Sequence, residues 1–169
     1  MITLPITELT RENFAPFGEV LALEGADHFP INQGSTERFH ALSSVDTSDQ
    51  NGKPIISLFR GQAFTRPFEL RVMERHPLGS QSFIPVTKDN NNQYLVVVAP
   101  STCETEAEIT QHLRAFVVQG FTGVTYAKGV WHHPLISLDQ LQDFIVVDRQ
   151  GPGNNCDEIK LSQSIKISG

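Results

Sequence analysis

The apolar residues of this chain fall in short runs rich in Val, Ile and Phe, bounded by Gly, Pro, Asn and Asp, with sparse helical periodicity. Such a chain buries its apolar surface by pairing many short strands. The strongest strands are predicted at Ile55 to Arg60, Glu69 to His76, Gln81 to Pro85, Tyr94 to Ala99, Leu113 to Val118, Gly123 to Ala127 and Phe144 to Asp148. That number at such intervals predicts a mainly β fold, a sandwich or barrel. Two short peripheral helices are expected, after Thr10 and after Thr105, where Glu108 stands in capping-box spacing. Asp46 to Lys53 and Lys88 to Gln93 read as polar loops. Gly151-Pro152-Gly153-Asn154-Asn155 is expected to end the compact part, leaving a short polar C-terminal segment.

At 169 residues the chain suits one domain with a substantial core, spanning 1–169. Its 13 Lys and Arg, against 19 Asp and Glu, are scattered along a chain of net charge −6, which argues against a nucleic-acid partner. No apolar run approaches the ~20 residues that span a bilayer, so no membrane partner is expected. Met1 to Pro5 lacks the basic and apolar blocks of a signal peptide, making a cytoplasmic location the default expectation. Cys103 and Cys156, with no CxxC pair, are read as reduced thiols, Cys156 the more exposed.

Against this background Glu74-Arg75-His76-Pro77-Leu78-Gly79-Ser80-Gln81 stands out, together with Gly129-Val130-Trp131-His132-His133-Pro134. Period-two alternation puts Leu70, Val72, Glu74 and His76 on one strand face and Glu69, Arg71, Met73 and Arg75 on the other. An inward carboxylate without a partner costs several kcal/mol or takes up a proton, so Glu74 needs a metal, a cation or a ligand. His132 and His133, being adjacent, point to opposite sides, and His133 is expected to be held by a backbone hydrogen bond before Pro134. His28, His40 and His112 are read as structural or surface residues.

His76-Pro77 with Gln81 and Phe83-Ile84-Pro85 resembles the first motif of the cupin superfamily, and Gly129-Val130-Trp131-His132 resembles the second. The resemblance implies a cupin-like β-barrel or jelly roll. Carried across, the four metal-ligand positions are Glu74, His76, Gln81 and His132, where metal-binding cupins carry His, His, Glu and His. Two imidazoles and two oxygens can still hold a divalent ion, and imidazole suits nickel, zinc or iron. The alternative is a hydrogen-bonded Glu74 and His76 pair in a barrel that has lost its metal.

Over nearly the whole chain the resemblance narrows. Glu74-Arg75-His76-Pro77-Leu78-Gly79, Trp131-His132-His133-Pro134-Leu135 and Asp148-Arg149 before Asn155-Cys156-Asp157 are similar to the ureidoglycolate lyase family, as are Ile31-Asn32, Gly34, Glu37-Arg38 and His40. That resemblance implies cleavage of ureidoglycolate to glyoxylate and urea, a late step of allantoin and purine breakdown, with nickel as the expected ion and a homodimer as the expected assembly. Glu74, His76 and His132 are the catalytic candidates. Asn32, Arg38 and Arg60 are the candidates for binding the substrate carboxylate, since the arginine fork matches that group. On the Ile55 to Arg60 strand the inward direction stays open, because both faces are apolar. Arg75, alternating away from Glu74, is read as a packing or interface residue. The competing readings are a metal-dependent cupin oxygenase or isomerase, which calls for a three-histidine site, a non-catalytic module binding a small organic acid, and a purely structural β domain.

Overall fold

The computed structural model describes residues 2–168. Its first strands are β1 (Ile2–Glu8), β2 (Gly18–Leu21), β3 (His28–Ile31), β4 (Thr36–Phe39) and β5 (Lys53–Gly61). They are followed by β6 (Ala63–Phe64), β7 (Phe68–Arg75), β8 (Gln81–Pro85), β9 (Gln93–Ala99) and β10 (Arg114–Gln119). The chain finishes through β11 (Gly123–Tyr126), β12 (Trp131–His132), β13 (Ile136–Leu138), β14 (Gln142–Gln150) and β15 (Asp157–Ser168). Two short helices, α1 (Arg11–Phe14) and α2 (Glu106–His112), start at the expected threonines. Thr10 and Asn13 close a capping box at the first, Thr105 and Glu108 at the second. Each helix drives one apolar side chain into the core, Phe14 and Ile109.

Strands β10, β1, β15, β7, β12 and β9 pair in that order, and β9 pairs back with β10, which closes a barrel. A five-stranded sheet, ordered β2-β11-β8-β14-β5, packs against the β9 and β10 wall of that barrel. Alternation along β9 therefore serves two cores. Leu95, Val97 and Ala99 join Leu70, Met73, Trp131, Ile165 and Ile167 inside the barrel. Tyr94, Val96 and Val98 face the other way and meet Phe83, Val124, Phe144 and Val146 of the five-stranded sheet. The mainly β, cupin-like architecture expected from the strand pattern is the one observed.

Two local expectations are corrected. Beyond Asn155 the chain does not trail off: β15 pairs with both β1 and β7, and Ile165 and Ile167 are fully buried in the barrel. Alternation along β7 also slips. Pairing with β15 is irregular between Lys160 and Ile165, and Met73, expected opposite Leu70, lies in the same core as Leu70. That change of phase leaves Glu74 facing the second core instead of the barrel interior.

Candidate metal and substrate site

Six polar or aromatic side chains end the second core in one layer. From the barrel wall come Glu74 of β7 and His132 of β12, directly opposite each other in the antiparallel register, with His76 just past the end of β7. From the facing sheet come Gln81 of β8 and Tyr126 of β11, also direct partners, and Asp148 of β14, which hydrogen bonds to Gln81. Period-two alternation supplies the positions: Phe144, Val146 and Asp148 face inward along β14, as do Phe83 and Gln81 along β8. Tyr126 lies flat on His132, ring centroids 4.2 Å apart and planes within 10°. Gly129, at φ 78°, turns the chain toward β12, and its N–H donates to His76 O at 2.9 Å, tying the two sequence motifs together.

The imidazoles are oriented by backbone carbonyls. His76 Nδ1 lies 2.7 Å from Asn155 O, and His132 Nδ1 lies 3.0 Å from Val130 O. A carbonyl only accepts, so each Nδ1 carries a hydrogen, and burial, which pushes His132 down, favours a neutral His132 ring with a bare Nε2 lone pair. Both Nε2 atoms are buried without a hydrogen-bond partner among the described residues. His132 Nε2 faces Glu74 Oε1 at 3.6 Å, lone pair toward carboxylate. That contact is repulsive until a cation lies between them.

Electrostatics state the same demand. Burial pushes the Glu74 carboxyl up, while the nearby imidazoles of His132, His76 and His133 bring it below its ordinary value. Burial pushes His132 down, against the pull of Glu74. A proton cannot satisfy both groups, because the charge Glu74 wants on His132 is the charge that burial removes. One donor atom from each of Glu74, His76 and His132 lies within 4.8 Å of the others, a spacing that a divalent ion can bridge. Carbonyl-oriented imidazoles are the usual outer support of such a site. These three residues form a possible metal-binding site.

Of the expected site residues, the fold brings together Glu74, His76, Gln81 and His132. Arg60 stands elsewhere: Phe59 faces inward against Phe83, and Arg60 faces out, bound to Asp143 through Nε at 2.8 Å and Nη2 at 2.9 Å. Its partner Asp143 lies five residues along β14 from Asp148, roughly 17 Å at the rise of a strand. Asn32 and Arg38 belong to the exposed hairpin of β3 and β4, a two-stranded sheet of its own. His133 turns away from the layer and bonds to Pro134 O at 2.6 Å. Arg75 packs over the Trp131 ring and pairs with Glu104 and Asp157.

The sequence reading missed Tyr126 and Asp148 as members of the layer, although inward alternation from Val124 and from Val146 points to each. It also missed the support given by Arg149. This buried guanidinium donates to Asp49 O and Pro152 O and so ties together the loops flanking the site. A surface cleft of about 580 Å³ is lined by Thr105, Glu106, Gln111 and Ser162 and includes none of the six layer residues. The buried, unpartnered polar atoms identify the site, and cleft size does not.

Comparison with known proteins agrees with this geometry. The ureidoglycolate lyase family model matches residues 1–168. A protein of Burkholderia mallei (strain NCTC 10229) named ureidoglycolate lyase is 53% identical over 168 residues, covering 99% of this chain and 95% of its own length. A ureidoglycolate lyase of Burkholderia cepacia is 53% identical, covering 94% of this chain and 86% of its own length. One from Pseudomonas putida (strain W619) is 51% identical, with 94% and 91% covered. With the whole of its layered β fold and its polar layer inside the matched region, the chain belongs to the ureidoglycolate lyase family.

Proposed function

We propose that the chain is a ureidoglycolate lyase that cleaves ureidoglycolate to glyoxylate and urea. The observation that carries the reading is the trio Glu74, His76 and His132, whose donor atoms lie within 4.8 Å of one another with both imidazole Nε2 atoms buried and unpartnered among the described residues, a site that suits a cation and a chelating substrate. Ureidoglycolate offers one, a hydroxyl and a carboxylate on neighbouring carbons. Glu74, His76 and His132, with Gln81 beside them, would hold the metal, and nickel is the ion expected from the family resemblance. A divalent ion bound there supplies a Lewis acid that lowers the pKa of the substrate hydroxyl.

The chain's own residues do the rest. A carboxylate has two oxygens, so Glu74 can serve as a ligand with one and accept the hydroxyl proton on the other; the C–O bond becomes a carbonyl, and the C–N bond breaks with its electron pair leaving on nitrogen. The same carboxyl returns the proton to that nitrogen, and urea departs. No water is consumed, so the step is an elimination. His132 stacked on Tyr126 is fixed in ring plane, and His76 is fixed by Asn155 O, so the proton and the breaking bond are held in place. Burial, with the charge of Glu74, pushes the Tyr126 hydroxyl well up, which keeps it a neutral phenol beside His132.

In the same reading the full chain acts as one catalytic domain in the cytoplasm, in nitrogen release from purines through allantoin, without nucleic-acid or membrane partners. The assembly is a homodimer. β5 is an edge strand that exposes Ile56 and Leu58, a liability that pairing with a second copy removes. Arg38 and Asn32, on the projecting hairpin, are kept as carboxylate anchors only in such an assembly. Arg60, satisfied by Asp143, is not kept as one.

The test is turnover of ureidoglycolate by wild type, Glu74→Gln and His132→Ala, with nickel supplied. Loss of a positioned base or of its metal partner should reduce kcat by about 10² to 10⁴-fold. Glyoxylate production by His132→Ala within a factor of about three of wild type would remove His132 from the mechanism, and a catalytically inert wild type would remove the function.

A further inference from the structure

Asp148 stands in the polar layer with a demand the metal trio does not meet. One carboxylate oxygen, Oδ2, accepts from Gln81 Nε2 at 3.2 Å. The other, Oδ1, is buried and has no hydrogen-bond partner among the described residues. A carboxylate only accepts, so the Gln81 amide must turn its nitrogen to Asp148, which leaves Gln81 Oε1 buried and equally unpartnered. Two acceptors thus lie side by side on the five-stranded sheet, facing the metal trio across the layer.

The protein's own cationic side chains do not answer the demand of Asp148 Oδ1. Arg149, next in sequence, points to the other face of β14 and donates to the carbonyls of Asp49 and Pro152. Arg75 is held by Glu104 and Asp157, and Lys128 by Asp46 and Asp49. Asp148 is also outside the group whose donor atoms lie within 4.8 Å of one another. What remains unmet is a call for N–H donors, presented on the side of the site away from the metal trio.

We propose that Asp148 is the acceptor for the N–H groups of the substrate's ureido end, and hence the residue that selects a ureido leaving group. The proposal rests on the lyase reading. A ureido group carries three N–H donors, and a hydrogen bond to an ionised acceptor is stronger than one between neutral partners. The hydroxyl and carboxylate end then faces Glu74, His76 and His132, while the nitrogen end is held by Asp148. Gln81 positions that carboxylate through its amide nitrogen. A nitrogen substituent without N–H leaves Asp148 Oδ1 buried and unpaired, which is the basis on which a site built for hydrogen bonding rejects an analogue.

Binding calorimetry on the full chain with nickel tests this, using two probes. N-carbamoylglycine keeps the ureido group and carboxylate but lacks the hydroxyl, so it cannot eliminate. Glycolate keeps the hydroxyl and carboxylate but lacks the ureido group. Asp148→Asn should weaken N-carbamoylglycine by about 10- to 100-fold, the range for a lost charged hydrogen bond, and leave glycolate within about twofold. Unchanged N-carbamoylglycine binding, or equal weakening of both probes, overturns the proposal. A second arm needs no variant: N-(dimethylcarbamoyl)glycine, stripped of the terminal N–H donors, should bind wild type at least about 10-fold more weakly, and equal binding also overturns it. Wild type that turns over ureidoglycolate while failing either arm removes the Asp148 role alone; wild type that neither turns it over nor binds the probes removes the lyase reading as well.

Discussion

Adding nickel to chelated protein should raise its melting temperature, and the size of the rise follows from the site. His132 Nε2 faces Glu74 Oε1 at 3.6 Å, and His76 Nε2 is buried with no partner among the described residues. A bound divalent ion turns these unfavourable contacts into favourable ones in the folded state only. At a free ion concentration of 100 times Kd, stabilisation is about 2.7 kcal/mol. For a chain of this size each kcal/mol shifts Tm by roughly 2–4 °C, so a rise of about 5–11 °C is expected. Differential scanning calorimetry of chelated protein titrated with nickel measures it directly. His76→Ala and His132→Ala each remove one of three donors, and the rise, taken against each variant's own metal-free Tm, should fall below about 2 °C at the same ion concentration. A wild-type Tm that ignores nickel, or a rise of equal size in both variants, refutes the site.

Other perturbations read the scaffold. Thr105→Ala removes the cap of α2 and should cost about 1 kcal/mol, a fall in Tm of roughly 2–4 °C by calorimetry. Glu108 is held below its ordinary value of 4.5 by the backbone N–H groups of Glu104 and Thr105. Its contribution is therefore full above pH 4.5 and lost as the pH falls through its lowered folded value, so acid unfolding of Glu108→Gln should be less steep below that point; superimposable profiles would refute the linkage. Arg149→Met should lower stability by about 2 kcal/mol, because the carbonyls of Asp49 and Pro152 lose the buried charged donor they share, and a urea midpoint unchanged from wild type would contradict that.

The fold was largely legible because its strands alternate cleanly or run apolar, and because Thr105 and Glu108 spell a capping box. What escaped has physical reasons. β15 alternates Ile159, Leu161, Ile165 and Ile167, but Gln163 interrupts the row and polar residues fill the rest, so its local hydropathy resembles a tail. Its burial comes from pairing with β1 and β7, far away in sequence. The phase slip between Leu70 and Met73 is likewise a product of pairing irregularity, which no pattern within β7 reveals. At the site, Glu74, His76, Gln81 and His132 could be read together because two compact motifs carry them. Asp148 and Tyr126 lie within reach of the same alternation rule, but each follows an apolar row that reads as plain core. Arg60 shows the opposite limit: with Ile56 and Leu58 on one face and Ile55 and Phe59 on the other, only the facing sheet decides which side is inside.

The central claim is that this polar layer carries out an elimination that depends on a divalent ion, and product stoichiometry tests it most directly. Purified protein incubated with ureidoglycolate should yield glyoxylate and urea in equal amounts and no ammonia, with the activity lost on chelation and restored by nickel. Ammonia in place of urea, or glyoxylate no faster than the uncatalysed rate with nickel present, would contradict the account.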